Sequence, residues 1–136
     1  MERAGKVSRG ELSVIGLAPH PPIMVPEVGR GQERAVKSSL EAMMRLGGEV
    51  AAADPEVVVV ITPHGPVFQD AVAIAGTPEL KGSLSQFGAP GVEFSFANDS
   101  ELIDHIAVAA EDAGINTVVM NEARAKRFSV GSSLDH

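Results

Sequence analysis

Glu56-Val57-Val58-Val59-Val60-Ile61-Thr62-Pro63-His64-Gly65-Pro66 is the stretch on which the reading of the fold turns. Its aliphatic run, residues 57–61, has no polar position to alternate with, the pattern of a strand covered on both faces. Pro63 and Pro66 then block further ladder bonding, so the strand is expected to stop in a stiff loop that presents His64. Working outward, an echo stands 44 residues earlier: Val14-Ile15-Gly16-Leu17-Ala18-Pro19-His20-Pro21-Pro22. Between the two, Val36, Leu40, Met43, Met44, Val50 and Ala51 recur at helical spacings within residues 32–53. This predicts an amphipathic crossover helix that ends at Asp54-Pro55, with a weak point at Gly47-Gly48 of about 1 kcal/mol per residue relative to alanine. Strand, helix and strand in that order form a βαβ unit with parallel strands. The predicted class is therefore α/β, a three-layer α/β/α arrangement with a mainly parallel central sheet.

Further along, residues 70–75 read as a third strand and residues 80–90 as a Gly/Ser-rich loop able to lie over a site. Val92-Glu93-Phe94-Ser95-Phe96 alternates as a half-exposed edge strand does. Asn98, with Glu101 three residues on, is expected to open a helix as a capping box. Leu102, Ile103, Ile106, Ala109, Ala110 and Ala113 are expected to form its buried face up to Gly114. Residues 115–120 read as one more strand, and residues 121–136 carry no clear period. At the other end, the first ten residues are polar and aperiodic. The expected organisation is a flexible leader, residues 1–11, followed by one domain, residues 12–136.

Composition narrows the function classes. A chain of 136 residues with 44% hydrophobic content fits one core. No apolar run approaches the roughly 20 residues that span a bilayer, and no apolar stretch follows the N-terminal charges as in a signal peptide, so a cytoplasmic location is expected. The absence of cysteine removes disulfides, thiolate catalysis and thiolate-bound metal, leaving His, Asp and Glu as ligands. A net charge of −7 opposes nucleic-acid binding, and the lack of Trp and Tyr removes the usual stacking platforms.

The candidate chemistry lies in the repeat. Carboxyl ends of neighbouring parallel strands share one edge, where ligands bind, so His20 and His64 are expected to come within chelating distance. Flanking prolines fix φ and lower the entropy lost when each ring is oriented. Taken singly, either histidine reads first as a hydrogen-bonded loop residue; the matched context is what points to a shared metal or catalytic site. Two histidines leave such a site one ligand short, since non-haem iron and catalytic zinc both take a third protein ligand. Glu27, Asp70, Asp99 and Asp135 are available carboxylates, but their contexts read as solvated or capping charges. His105, beside Glu101 and Asp104 on a helix flank, reads as a surface residue. His136 follows Asp135, an arrangement able to orient an imidazole for proton transfer, or else simply a terminal residue.

Ala18-Pro19-His20-Pro21-Pro22-Ile23-Met24-Val25-Pro26-Glu27-Val28-Gly29, Ile61-Thr62-Pro63-His64-Gly65-Pro66 and Ser85-Gln86-Phe87-Gly88-Ala89-Pro90 together resemble the LigB-like family of class III extradiol ring-cleavage dioxygenases. The likeness runs from Leu12 onward and is nearest to the branch that includes Memo-like proteins and is associated with AMMECR1-type and radical-SAM partner proteins. It implies that His20 and His64 ligate ferrous iron and that Leu134-Asp135-His136 begins a segment whose histidine lines the substrate pocket. It further implies a catecholic aromatic substrate and O2. The family's third, carboxylate ligand and its acid/base histidine belong to a second half, so the chain is expected to correspond to the N-terminal half of such a catalytic domain, inactive by itself. The alternatives are a Memo-like protein binding a metal or a partner without oxygen chemistry, and a hydrolase using Zn(II) in place of Fe(II). A homo-oligomer built on exposed sheet edges is a further expectation.

Overall fold

The computed structural model of the chain describes residues 10–121. It divides into two compact units, Met1–Val58 and Val59–His136.

In the first unit, a 3₁₀ turn (Pro22–Met24) leads into the single-turn helix α1 (Pro26–Gly29), then a second 3₁₀ segment (Gln32–Val36) and the long helix α2 (Lys37–Ala53). Helix α2 exists for the reason its periodicity gives: Val36, Leu40, Met43, Leu46, Val50 and Ala53 follow one face and are half-buried. Met44, expected on that face, is 70% exposed, and Ala51 is exposed too. The stripe is set by Leu46 and Ala53 in their place, because these continue the 3.6-residue period from Leu40 and Met43. Gly47 and Gly48 do not interrupt the helix. Asp54 takes a left-handed conformation (φ 46°) and its N–H donates to the Ala51 carbonyl at 3.2 Å, which ends the helix ahead of Pro55.

In the second unit, β1 (Val72–Ala75) pairs in parallel with β4 (Thr117–Met120), and β2 (Glu79–Leu84) pairs antiparallel with β3 (Ala89–Ala97). Helix α3 (Ser100–Asp112) lies between β3 and β4 in sequence and supplies the crossover that a parallel pair requires. Its N-cap is Asp99, whose Oδ1 accepts from the Leu102 N–H at 2.9 Å. The expected cap Asn98 does something else: its Nδ2 donates to the carbonyls of Ala75 (2.8 Å) and Thr77 (2.9 Å), tying the end of the hairpin to the end of β1. An amide can donate two bonds at once, and a carboxylate can only accept. Gly114 (φ +74°) closes α3 through bonds from Gly114 N–H to Glu111 and from Ile115 N–H to Ala110, a Schellman arrangement. Among the described residues of this unit, Ala89, Ile103 and Met120 are buried.

Mixed helices and strands with a parallel pair make this an α/β fold, as expected. Strands near residues 70–75, 92–96 and 115–120 are present. Two further expectations are corrected. Residues 80–90 are no loop: they form most of β2, the 3₁₀ turn Ser85–Phe87 and the start of β3, with Gly88 (φ +78°) making the reversal. Gly82 and Ser83 sit in a ladder because Phe94 and Glu93 stand opposite them, and cross-strand pairing outweighs their weak intrinsic preference. Residues 12–18 and 56–62 are not hydrogen-bonded as strands; parallel pairing occurs at β1 and β4 instead. An aliphatic run supplies the side chains a buried strand wants, but a ladder also needs a second backbone in register.

Candidate metal centre

His20 enters a tightly folded turn. The N–H groups of Met24 and Val25 donate to the carbonyls of Pro21 and Pro22, each at 3.0 Å, and those of Val28 and Gly29 both reach the Val25 carbonyl, at 2.9 and 2.8 Å. Pro22 and Pro26 occupy first-turn positions, where a missing N–H does no harm. Met24, 7% exposed, is the apolar plug of this turn. Gly29 is buried where any Cβ would collide with the Ile23 carbonyl, so the turn closes at that spacing only with glycine. His20 remains exposed at the entrance, its backbone held by prolines on both sides.

His64 is held differently. Its N–H donates to the Thr62 hydroxyl at 3.2 Å, a turn closed by a side chain two residues back. Gly65 follows with φ +153°, a conformation that side-chain-bearing residues rarely adopt, and Pro66 stiffens the exit. The exposed His64 ring therefore also projects from a constrained loop. Each histidine is described within its own unit, His20 in Met1–Val58 and His64 in Val59–His136.

The other candidates separate clearly. His105 is exposed on α3, as expected of a surface residue. Glu27 lies in the first turn of α1, where the helix dipole favours it, and Asp99 is committed to its cap. Asp70 is exposed, and its main-chain carbonyl accepts from Asn116 Nδ2 at 3.2 Å. His136 and Asp135 lie outside the described residues. Among the described residues, no group of three or more His, Asp or Glu gathers to hold a metal.

A polar cluster absent from the sequence reading occupies the hairpin: Glu79 accepts from the Ser95 hydroxyl, and Lys81 Nζ lies 2.9 Å from Glu79 Oε2. The Ser95 bond and then Lys81 hold the Glu79 carboxyl below its usual range, and Glu79 in turn raises the Lys81 ammonium. These residues, with Ser83 and Glu93, line a shallow groove to which neither histidine contributes. The register that places Ser95 beside Lys81 is a tertiary fact with no local sequence signal. Thr62 was findable, since a hydroxyl two residues ahead of a loop residue is a common turn-closing device.

Residues 15–136 match the family described as the catalytic LigB subunit of aromatic ring-opening dioxygenase. The chain belongs to the LigB family. The LigB match includes both Pro-His segments, so the repeat at His20 and His64 lies wholly inside it. The chain is also 35% identical over 120 residues to Protein CA_C1420 of Clostridium acetobutylicum, an overlap of 88% of this chain and 26% of that protein. It thus spans about a quarter of that relative's length. No solved structure matches it. Among the described residues, no helix is long and apolar enough to cross a membrane.

Aromatic ring-opening dioxygenases of this family are typically metal-dependent. The donor chemistry of His20 and His64 fits such a metal: imidazole nitrogen suits Fe(II) and Zn(II) alike, and neither site needs the cysteine this chain lacks. His20 and His64 each carry an imidazole donor on a proline-stiffened loop, each within its own unit.

Proposed function

We propose that this chain contributes the two-histidine part of the metal centre of an extradiol dioxygenase, with His20 and His64 as ligands of Fe(II), a catecholic aromatic ring as substrate and O2 as co-substrate. The observation that supports the reading is the repeated Pro-His-x-Pro segment, at His20 and at His64, inside a LigB match over residues 15–136. His20 and His64 would hold the iron, which would supply Lewis acidity and oxygen chemistry when bound. The protein's own residues do the rest. His20 and His64 bind through ring nitrogens, and their proline-bracketed backbones limit the entropy lost on ligation. The Thr62 hydroxyl accepts from the His64 N–H, and Gly65 supplies the positive φ at which the loop turns. His136, beside Asp135, hydrogen-bonds the substrate hydroxyl and orients the ring.

Anaerobic calorimetry with Fe(II) tests this on the 136-residue chain. Stoichiometric binding is expected, lost in His20→Ala and in His64→Ala and retained in His105→Ala, whose ring is exposed on α3. If all four proteins behave alike, the histidine reading is wrong.

A further inference from the structure

The hairpin of β2 and β3 has two unlike faces. Successive side chains of a strand point to opposite sides, so Glu79, Lys81 and Ser83 share one face with Glu93 and Ser95, while Leu80 and Gly82 share the other with Phe94 and Phe96. The first face holds the ion pair and the hydroxyl bond; the second carries no charge over that span. The uncharged face is nevertheless open, with Leu80 37%, Phe94 51% and Phe96 63% exposed. A two-stranded ribbon is marginal by itself and gains stability when an apolar face is covered.

The relief of this face selects what covers it. Phe94 and Phe96 stand side by side along β3 with parallel rings, centroids 6.3 Å apart. Across the ladder Leu80 stands opposite Phe96, but Gly82 stands opposite Phe94, and a Cβ at Gly82 would meet nothing within 4 Å. The face thus has a ridge of two rings beside a trough floored by the Gly82 backbone. A two-fold axis laid along the strands, midway between β2 and β3, exchanges ridge and trough. It sets Phe94 of each copy over Gly82 of the other and Phe96 over Leu80, in two aligned sheets at the roughly 10 Å spacing of face-to-face packing. A two-fold contact needs a patch complementary to itself, and large beside small across the ladder supplies one. Charge agrees: the chain carries −7 overall, but Glu79, Lys81 and Glu93 point away from this face, so no like charges meet across it.

We infer that the face formed by Leu80, Gly82, Phe94 and Phe96 is the contact surface of a weak, reversible homodimer, two copies packing these faces about a two-fold axis. Its three exposed side chains offer roughly 300 Å² per copy, given about 150–250 Å² for a whole aromatic side chain. That is short of the roughly 800 Å² per partner of a stable complex and belongs to the transient class.

Sedimentation equilibrium of the 136-residue chain tests this, followed by interference because the chain has no Trp or Tyr. Concentrations run from about 10 μM to about 1 mM, where weak complexes dissociate. Every protein carries Val59→Lys, which puts a charge into the exposed aliphatic run of residues 57–61 and leaves the hairpin untouched. A discrete monomer–dimer equilibrium is expected in this background, and Phe94→Lys should abolish it. Gly82→Val is the sharper variant. The glycine has open space for a side chain and valine favours strands, so the hairpin keeps its fold, checked by circular dichroism, while the trough is filled. Dimerisation should then weaken about ten-fold, although the face has become more apolar. Unchanged or tighter association in Gly82→Val overturns the two-fold packing, since general stickiness would then govern. A background protein that stays monomeric throughout also overturns it and leaves the face to another partner, as does a dimer that survives Phe94→Lys.

Discussion

At the residue scale the site depends on small groups that fix a backbone. Thr62 is the clearest case: its hydroxyl accepts the His64 N–H, a bond that valine, of the same shape, cannot offer. Thr62→Val is expected to weaken Fe(II) binding about five-fold, the equivalent of ~1 kcal/mol for one neutral hydrogen bond, and Thr62→Ser to restore it. Calorimetry on the two variants checks this; equal affinities would leave the hydroxyl without a positioning role. Glu79 makes a second, pH-dependent case. Its carboxyl is depressed by the Ser95 hydroxyl first and by Lys81 second, from an ordinary value of 4.5. A depressed carboxylate stabilises the hairpin fully above its ordinary value, and that contribution is lost as pH falls through the lowered one. In Ser95→Ala the Glu79 carbon resonance, followed by NMR, should titrate closer to 4.5 than in the unaltered chain.

At the scale of elements, helices are specified locally and strands are not. Helix α3 has its Asp99 cap, a half-buried or buried stripe through Leu102, Ile103, Ala107 and Ala110, and a Gly114 terminus, all within 16 consecutive residues. Ile106, Ala109 and Ala113, expected on the buried face, are exposed, because Ala107 rather than Ile106 continues the period from Ile103 to Ala110. Asp99→Ala leaves the Leu102 N–H without its acceptor and is expected to reduce stability by about 1 kcal/mol, read as a lower urea midpoint by circular dichroism. Asp99→Asn should recover most of it, since the amide oxygen still accepts. The hairpin depends on distant pairs instead. Leu80 stands opposite Phe96 and Gly82 opposite Phe94, and the two phenyl rings lie parallel with centroids 6.3 Å apart. That face remains in part exposed, with Phe94 at 51% and Phe96 at 63%. Alternation in Val92-Glu93-Phe94-Ser95-Phe96 announced β3, but nothing in Glu79-Leu80-Lys81-Gly82-Ser83-Leu84 announced its partner.

At the scale of the whole molecule, exposed aliphatic surface is the dominant feature of the described residues. Residues 57–61 combine β-branched side chains with no charge, glycine or proline, the composition that pairs with copies of itself. Concentration-dependent self-association of the metal-free chain is therefore expected in sedimentation velocity, and Val59→Lys should reduce it. A net charge of −7 opposes that association at low salt, so added salt should strengthen it. The amino-acid sequence by itself determined the two amphipathic helices and their C-terminal ends, the proline-bracketed turns that hold His20 and His64, and the α/β class. Each of these follows from interactions between residues a few positions apart. Only the tertiary structure decided that β1 pairs with β4, that residues 79–84 join a ladder despite Gly82, and that the most strand-like run of all, residues 57–61, remains unladdered. Strand pairing brings together backbones tens of residues apart, and its register is a property of both partners, so side-chain preference in one segment cannot choose the other.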